Sequence, residues 1–181
     1  MSQQQFSKKT MTELQRLSAA EAQKQYSFPI IIVLDNVRSM HNVGSIFRTA
    51  DSFGLQEIIL CGFTPVPPHR EIHKTALGAT ETVQWRYAKN IGTILASLKA
   101  EGYTIIAAEQ VHGSTSLEKA AHNPEQKTVI IFGNEVEGVS EEALSYCDAV
   151  LEIPQFGAKH SLNISVSVGI ICWELVRDFK D

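Results

Sequence analysis

Residues 30–50 read Ile30-Ile31-Ile32-Val33-Leu34-Asp35-Asn36-Val37-Arg38-Ser39-Met40-His41-Asn42-Val43-Gly44-Ser45-Ile46-Phe47-Arg48-Thr49-Ala50. The run from Ile30 to Leu34 has no polar break, as expected of a strand buried on both faces of a helix-covered parallel sheet. A polar loop follows, and the pattern turns helical over Asn42 to Phe53. The same alternation recurs along the chain. Glu57 to Cys61, Tyr103 to Ala108, Thr128 to Phe132 and Ala149 to Ile153 read as further buried strands. Asn90 to Ala100, Leu117 to His122, Ser140 to Tyr146 and Leu162 to Phe179 read as helices. Ser140 followed by Glu141 and Glu142 is a good helix start, with a capping hydroxyl and acids at the positive end. These elements predict an α/β fold with a mainly parallel sheet and helices on both faces. Ligands of such sheets sit at the carboxyl ends of strands, which directs attention to the loops that follow them.

The chain has 181 residues, a length suited to one domain. It is 44% hydrophobic and 20% charged, a globular composition that excludes intrinsic disorder. No apolar stretch reaches the roughly 18–20 residues of a spanning helix. The best candidate, Ile164 to Val176, is broken by Ser165, Ser167, Gly169 and Glu174. Met1-Ser2-Gln3-Gln4-Gln5 contains no apolar run, so no secretory signal is expected. Cys61, Cys147 and Cys172 are odd in number and lack a C-x-x-C spacing, as expected of reduced thiols in a cytoplasmic protein. With 16 Lys+Arg against 20 Asp+Glu the net charge is −4, which argues against indiscriminate nucleic-acid binding but leaves room for a local basic face. Residues 1–27 are polar, and a thin stripe of Met11, Leu14 and Leu17 predicts a helix from about Thr10 to Gln25. That segment is expected as an extension docked on the body or on a neighbouring subunit, with residues 28–181 as the domain proper.

Three loops carry candidate chemistry. In the first, Asn42 is the expected helix cap and Arg48 lies nearly two turns in; a helix N-terminus with Arg38 and Arg48 is a competent phosphate site. The same arginines equally suit a solvated helix face. The second loop is Phe132-Gly133-Asn134-Glu135-Val136-Glu137-Gly138-Val139-Ser140, where Gly133 admits close approach of a ligand and Glu135 offers an acceptor at a strand end. The third runs from Ile153-Pro154-Gln155-Phe156-Gly157 to Ser161-Leu162-Asn163-Ile164-Ser165-Val166-Ser167. Ser161, Asn163, Ser165 and Ser167 are poor helix-interior residues unless they bond to something. His69 and His73 are four apart, but no third ligand is evident, and no metal site is expected.

Taken together and in this order, the loops resemble the three motifs of the SpoU (TrmH-like) RNA 2′-O-ribose methyltransferases of the SPOUT superfamily. N-x-G-x-x-x-R-T-A corresponds to Asn42 to Ala50, G-N-E-x-x-G to Gly133 to Gly138, and I-P-x-x-G…S-L-N-x-S to the stretch from Ile153 to Ser165. The likeness covers roughly Ile31 to Val176.

The resemblance implies a C-terminal trefoil knot, which periodicity could not suggest because knots are so rare. It implies S-adenosylmethionine as cofactor, contacted by Ala107, Ala108, Gly133, Asn134, Glu135, Ile153, Ser161 and Leu162. The implied reaction is in-line transfer of the sulfonium methyl to a ribose 2′-hydroxyl, with Arg48 central. A guanidinium stays protonated, its pKa above about 12, so it suits pairing with a phosphate and stabilising the developing alkoxide better than plain base catalysis. Asn42, Glu135, Ser161 and Asn163 are expected to orient the ribose and hold the loops. Arg38, His41, Arg70, Lys74 and Lys159 form the expected RNA-facing set, with His160 as an RNA contact or loop-packing group. The resemblance also implies a homodimer. The motif-one stretch looks closer to tRNA D-loop and 23S rRNA guanosine enzymes than to wobble-nucleotide enzymes. The short segment before the domain favours tRNA, although the D-loop type usually carries a C-terminal extension as well. Two other readings are an inactive RNA-binding relative and a flavodoxin-like small-molecule module; the latter leaves Asn163 and the motif-three serines unexplained.

Overall fold

The computed structural model describes residues 7–10, 28–120, 123, 125–158 and 161–177. Seven strands are present among them: β1 (Phe28–Asp35), β2 (Leu55–Cys61), β3 (Gln84–Ala88), β4 (Thr104–Ala108), β5 (Thr115–Ser116), β6 (Thr128–Phe132) and β7 (Ala149–Glu152). They form one sheet in the order β3-β2-β1-β6-β4-β7-β5, and every paired neighbour is parallel. The helices are α1 (Met40–Ser52), α2 (Arg70–Ala76), α3 (Ala79–Thr82), α4 (Ile91–Ala100), α5 (Glu141–Leu144) and α6 (Ile164–Val176).

Alternate residues of β1 serve opposite faces, as the strand period of two requires. Ile30, Ile32 and Leu34 pack with Val43, Ile46 and Phe47 of α1 and with Val168, Ile171 and Leu175 of α6. Ile31 and Val33 pack on the other side with Ile91, Leu95 and Leu98 of α4 and with Ala143 of α5. Helices therefore cover both faces, which explains the unbroken apolar run that begins the fold-deciding stretch.

Register places the site. Leu34 pairs with Phe132, Phe132 with Ala108, and Ala108 with Leu151. The carboxyl ends of β1, β6, β4 and β7 thus stand in a row, and three motif-bearing loops leave from neighbouring points on one sheet edge.

Several elements differ from the sequence expectation. β3 was not expected: it is an edge strand, and Gln84, Arg86 and Tyr87 are exposed, so it lacks the apolar run of the central strands. The two-residue β5 and the short α2 and α3 were likewise not anticipated. The expected helix Leu117 to His122 is a single 3₁₀ turn at Leu117–Lys119, with His122 outside the described residues. The last helix starts at Ile164 and not Leu162, because Asn163 caps it with its side chain on the Ser165 N–H at 2.9 Å. The helix expected over Thr10 to Gln25 lies outside the described residues apart from Thr10, and Phe179 lies outside them too.

Candidate active site

The cap of α1 is Ser39, whose Oγ accepts from the Asn42 N–H at 3.3 Å. Asn42 is therefore in the first turn and not at the cap, and its side chain is free to bond elsewhere. Its Nδ2 donates to Glu135 Oε1 at 2.9 Å, and its Oδ1 accepts from Asn163 Nδ2 at 3.1 Å. One amide thus joins all three loops.

Glu135 also accepts from the backbone N–H groups of Arg38 (2.9 Å) and Ser39 (3.1 Å). Partial burial pushes its carboxyl pKa up and is the largest single influence. The N–H of Arg38, the Asn42 amide, its own N–H and the N–H of Ser39 together outweigh it, holding the group below the ordinary 4.5. Glu135 is accordingly a surface carboxylate tied to loop one at the N-terminal approach of α1. An anion approaching there would meet Glu135 and find the Arg38 and Ser39 N–H groups already used, which leaves the side chains of Arg38 and Arg48 as its partners.

Loops one and two are fastened again beneath this layer. Asp35, 1% exposed at the end of β1, accepts from the Ser140 N–H at 2.8 Å. Buried Asn134 donates to the Asn36 carbonyl at 2.7 Å, while its Oδ1 receives the Val136 and Glu137 N–H groups at 2.8 and 3.2 Å. Asn134 and Gly138 exchange two backbone bonds of 2.9 Å, closing loop two on itself. A Cβ on Gly133 would run into the Gly138 carbonyl carbon and the Val139 nitrogen. Glycine is thus demanded here by the loop's own backbone, a different reason from the ligand approach expected from sequence. Glu109, just after β4, accepts from the Val139 N–H at 2.9 Å and completes the support.

These loops border a cleft of about 440 Å³, within the usual range for small-molecule sites. Ala108, Gly133, Asn134, Glu135, Ile153, Ser161 and Leu162 all line it, as do Glu109 and Asn163. Ala107 does not. It is fully buried against the opposite helix layer, because adjacent residues of β4 face opposite sides. Apolar walls from Phe132, Leu151, Ile153 and Ile171 beside polar groups on loop two suit a flat heterocycle carrying polar substituents.

Arg48 is exposed on α1, outside the cleft lining, and its guanidinium has no acidic partner among the described residues. Arg38 and Arg70 are exposed as well. His41 Nε2 and Lys74 Nζ both bond to Glu71, at 2.8 and 2.9 Å, so part of the expected basic face is neutralised internally. Lys74 first and His41 second hold the Glu71 carboxyl below its ordinary range. Lys159 and His160 lie outside the described residues. His69 caps α2 through Nδ1, on the Glu71 N–H at 3.2 Å. Among the described residues no cluster of three His, Cys, Asp or Glu side chains is placed to hold a metal, and no helix is long and apolar enough to cross a membrane. The cysteines are free; burial pushes Cys61 and Cys172 to about 12 and Cys147 to about 11.

Sequence reasoning missed Asp35, Glu109 and Thr64, whose hydroxyl donates to the Leu34 carbonyl at 3.1 Å. A lone acid directly after an apolar strand is the available signal for the first two.

Comparison with known proteins gives a consistent picture. The profile of the SpoU rRNA Methylase family matches residues 29–173. The 23S rRNA (guanosine-2′-O-)-methyltransferase RlmB of Neisseria meningitidis serogroup B is 32% identical over 82% of this chain; the match spans only 58% of that protein's length. The tRNA (guanosine(18)-2′-O)-methyltransferase of Thermus thermophilus is 30% identical over 92% of this chain and 84% of its own. Among solved structures, the A. aeolicus TrmH/SpoU tRNA modifying enzyme superposes with a TM-score of 0.79 at 28% identity, covering 88% of this chain and 79% of that one. The AdoMet-bound rRNA methyltransferase of Sinorhizobium meliloti gives 0.78 at 28% identity, over 88% of this chain and 61% of that one. With motif loops, parallel sheet and sequence profile in agreement, the chain belongs to the SpoU rRNA Methylase family.

Proposed function

We infer that the protein is an S-adenosylmethionine-dependent RNA methyltransferase acting on a ribose 2′-hydroxyl, with guanosine in a tRNA D-loop as the favoured target. The observation that carries this reading is the hydrogen-bonded series Glu135–Asn42–Asn163, which ties three loops around one nucleoside-sized cleft. A chain that had lost catalysis and only bound RNA has no need of Arg48 together with Glu135 and Asn163. The Thermus tRNA enzyme, aligned over most of both chains, supports tRNA; 23S rRNA is the alternative, supported by the Neisseria relative.

The cofactor supplies an electrophilic methyl on a charged sulfur when bound. Ala108, Gly133, Asn134, Ile153, Ser161 and Leu162 would hold it in the cleft that they line. Glu135 is saturated by donors from loop one, so it acts by fixing that loop and not by taking a proton. Arg48, uncompensated and exposed, pairs with a phosphate of the RNA and stabilises charge developing on the ribose oxygen. Arg38, Arg70 and, beyond the described residues, Lys159 add phosphate contacts; His41 and Lys74 contribute less because both are already bonded to Glu71.

The working unit in this reading is a cytoplasmic homodimer with a knotted C-terminal part. The outer side of α6 supports the dimer. Val166, Ile170 and Trp173 recur at helical spacing and are 48%, 37% and 56% exposed. Trp173 stands on the outside of the helix, leaning on Phe53 at 6.2 Å between ring centroids. Such a stripe is costly to leave in water. Calorimetric titration with S-adenosylmethionine tests the cofactor assignment: saturable binding is expected, and none at millimolar concentration contradicts it.

A further inference from the structure

The turn after β2 carries a feature that the cofactor cleft and the three motif loops leave unused. Thr64, 3% exposed, donates to the Leu34 carbonyl and accepts from the Val37 N–H at 3.0 Å. Asn36 Oδ1 accepts from the Phe63 N–H at 3.2 Å. Gly62 has φ +62°, and a Cβ there would strike Asn36 Oδ1. The turn is therefore fixed rigidly against loop one through its backbone. Its side chains point elsewhere: Phe63 is 61% exposed and Val66 38%. A large aromatic ring held on a rigid turn in water is unusual for a residue that normally enters the core.

Sheet order gives the ring its meaning. The cleft lies over β6, β4 and β7, loop one lies over β1, and the Phe63 turn lies over β2 on the far side of β1. With a small molecule in the cleft, a second reactant meeting loop one comes to rest over β1 and β2. Exposed Arg38 stands on loop one and exposed Arg70 opens α2 at the end of the Phe63 turn, neither with an acidic partner among the described residues. An exposed ring accompanied by two guanidinium groups fits single-stranded RNA, whose phosphates take the cations and whose unstacked bases take the ring.

We propose that Phe63 is a base-stacking residue of the RNA site, holding a nucleobase next to the nucleotide presented to loop one. The proposal rests on the RNA-methyltransferase reading and adds a specific contact to it. The ring recognises any unstacked base, so it sets the requirement for an unpaired loop in the substrate and not the base identity.

The test measures the affinity of the full chain for unmodified tRNA and for a single-stranded oligonucleotide, with cofactor affinity and melting temperature recorded in parallel. Phe63→Ala is expected to weaken RNA binding by about 5- to 150-fold, the scale of one base–aromatic stack. Phe63→Trp is expected to retain binding, and Phe63→Leu to lose it although it stays apolar. The salt dependence of binding should be unchanged in Phe63→Ala, whereas Arg38→Ala and Arg70→Ala should each lower its slope by about 1. RNA affinity of Phe63→Ala within twofold of wild type, with wild type binding RNA, overturns the stack alone. Failure of the wild-type chain to bind any RNA overturns both this proposal and the functional reading. A change in oligomeric state of Phe63→Ala with RNA binding intact assigns the ring to a protein interface and likewise overturns it.

Discussion

Asn163 and Asn42, 121 positions apart, are joined by a 3.1 Å hydrogen bond that links the cap of α6 to the first turn of α1. Because Asn42 also reaches Glu135, displacing either amide frees a loop at the edge of the cleft. A double-mutant cycle should detect this coupling. Asn42→Ala and Asn163→Ala are each expected to reduce methyl transfer strongly, and the double variant to lose less than the product of the two effects. A coupling of about 0.5–3 kcal/mol is the range for residues in one network. Strict additivity in measured transfer rates contradicts the link.

Glu135 sets a pH dependence. Its folded pKa lies below the ordinary 4.5, so its stabilising contribution is present above that value and disappears as pH falls through the lower folded value. Cofactor affinity attributable to this group should be flat from about pH 5 to 8 and should fall below about pH 4.5. In Glu135→Gln the amide cannot serve the three donors, so binding should be weaker at every pH, with the acid-side fall diminished. Titration calorimetry across pH checks both.

Two glycines separate steric need from ornament. Gly133→Ala forces a Cβ into the backbone of Gly138 and Val139 and should cost about 1–3 kcal/mol, visible as a lowered melting temperature. Gly157→Ala in loop three meets open space and should stay within about 0.5 kcal/mol. Equal stability of the two variants contradicts the packing account of loop two.

The α6 stripe predicts a concentration-dependent dimer. Val166→Glu and Ile170→Glu place charge in the middle of the apolar face and should shift sedimentation toward monomer without loss of helix content. Unchanged sedimentation contradicts the proposed interface.

The central strands and the sites of the three loops were legible because burial on both faces imposes a continuous apolar run and because the motifs follow those runs directly. β3 was not, since an edge strand with Gln84, Arg86 and Tyr87 in solvent carries no such constraint. The residues of the cleft were readable as motif positions, but their roles were not. That Asn42 bonds sideways, that Glu135 is held by loop one, and that His41 bonds to Glu71 are all contacts across at least 30 positions. Local pattern has no access to partners at that separation. Trp173 shows the same limit on α6: the helix is apolar on nearly every side, so periodicity could not tell which residues face the core and which face outward.

The most direct test of the account is methyl transfer from labelled S-adenosylmethionine to unmodified tRNA and rRNA, read by nucleoside mass spectrometry for wild type, Arg48→Ala and Arg48→Lys. The account predicts a 2′-O-methylated nucleoside from tRNA, absent with Arg48→Ala and reduced at least about tenfold with Arg48→Lys, which keeps the charge but loses the guanidinium fork. Label on rRNA alone would move the substrate to the ribosome. Transfer to neither RNA with the cofactor bound, or near-wild-type turnover in Arg48→Lys, would contradict the account.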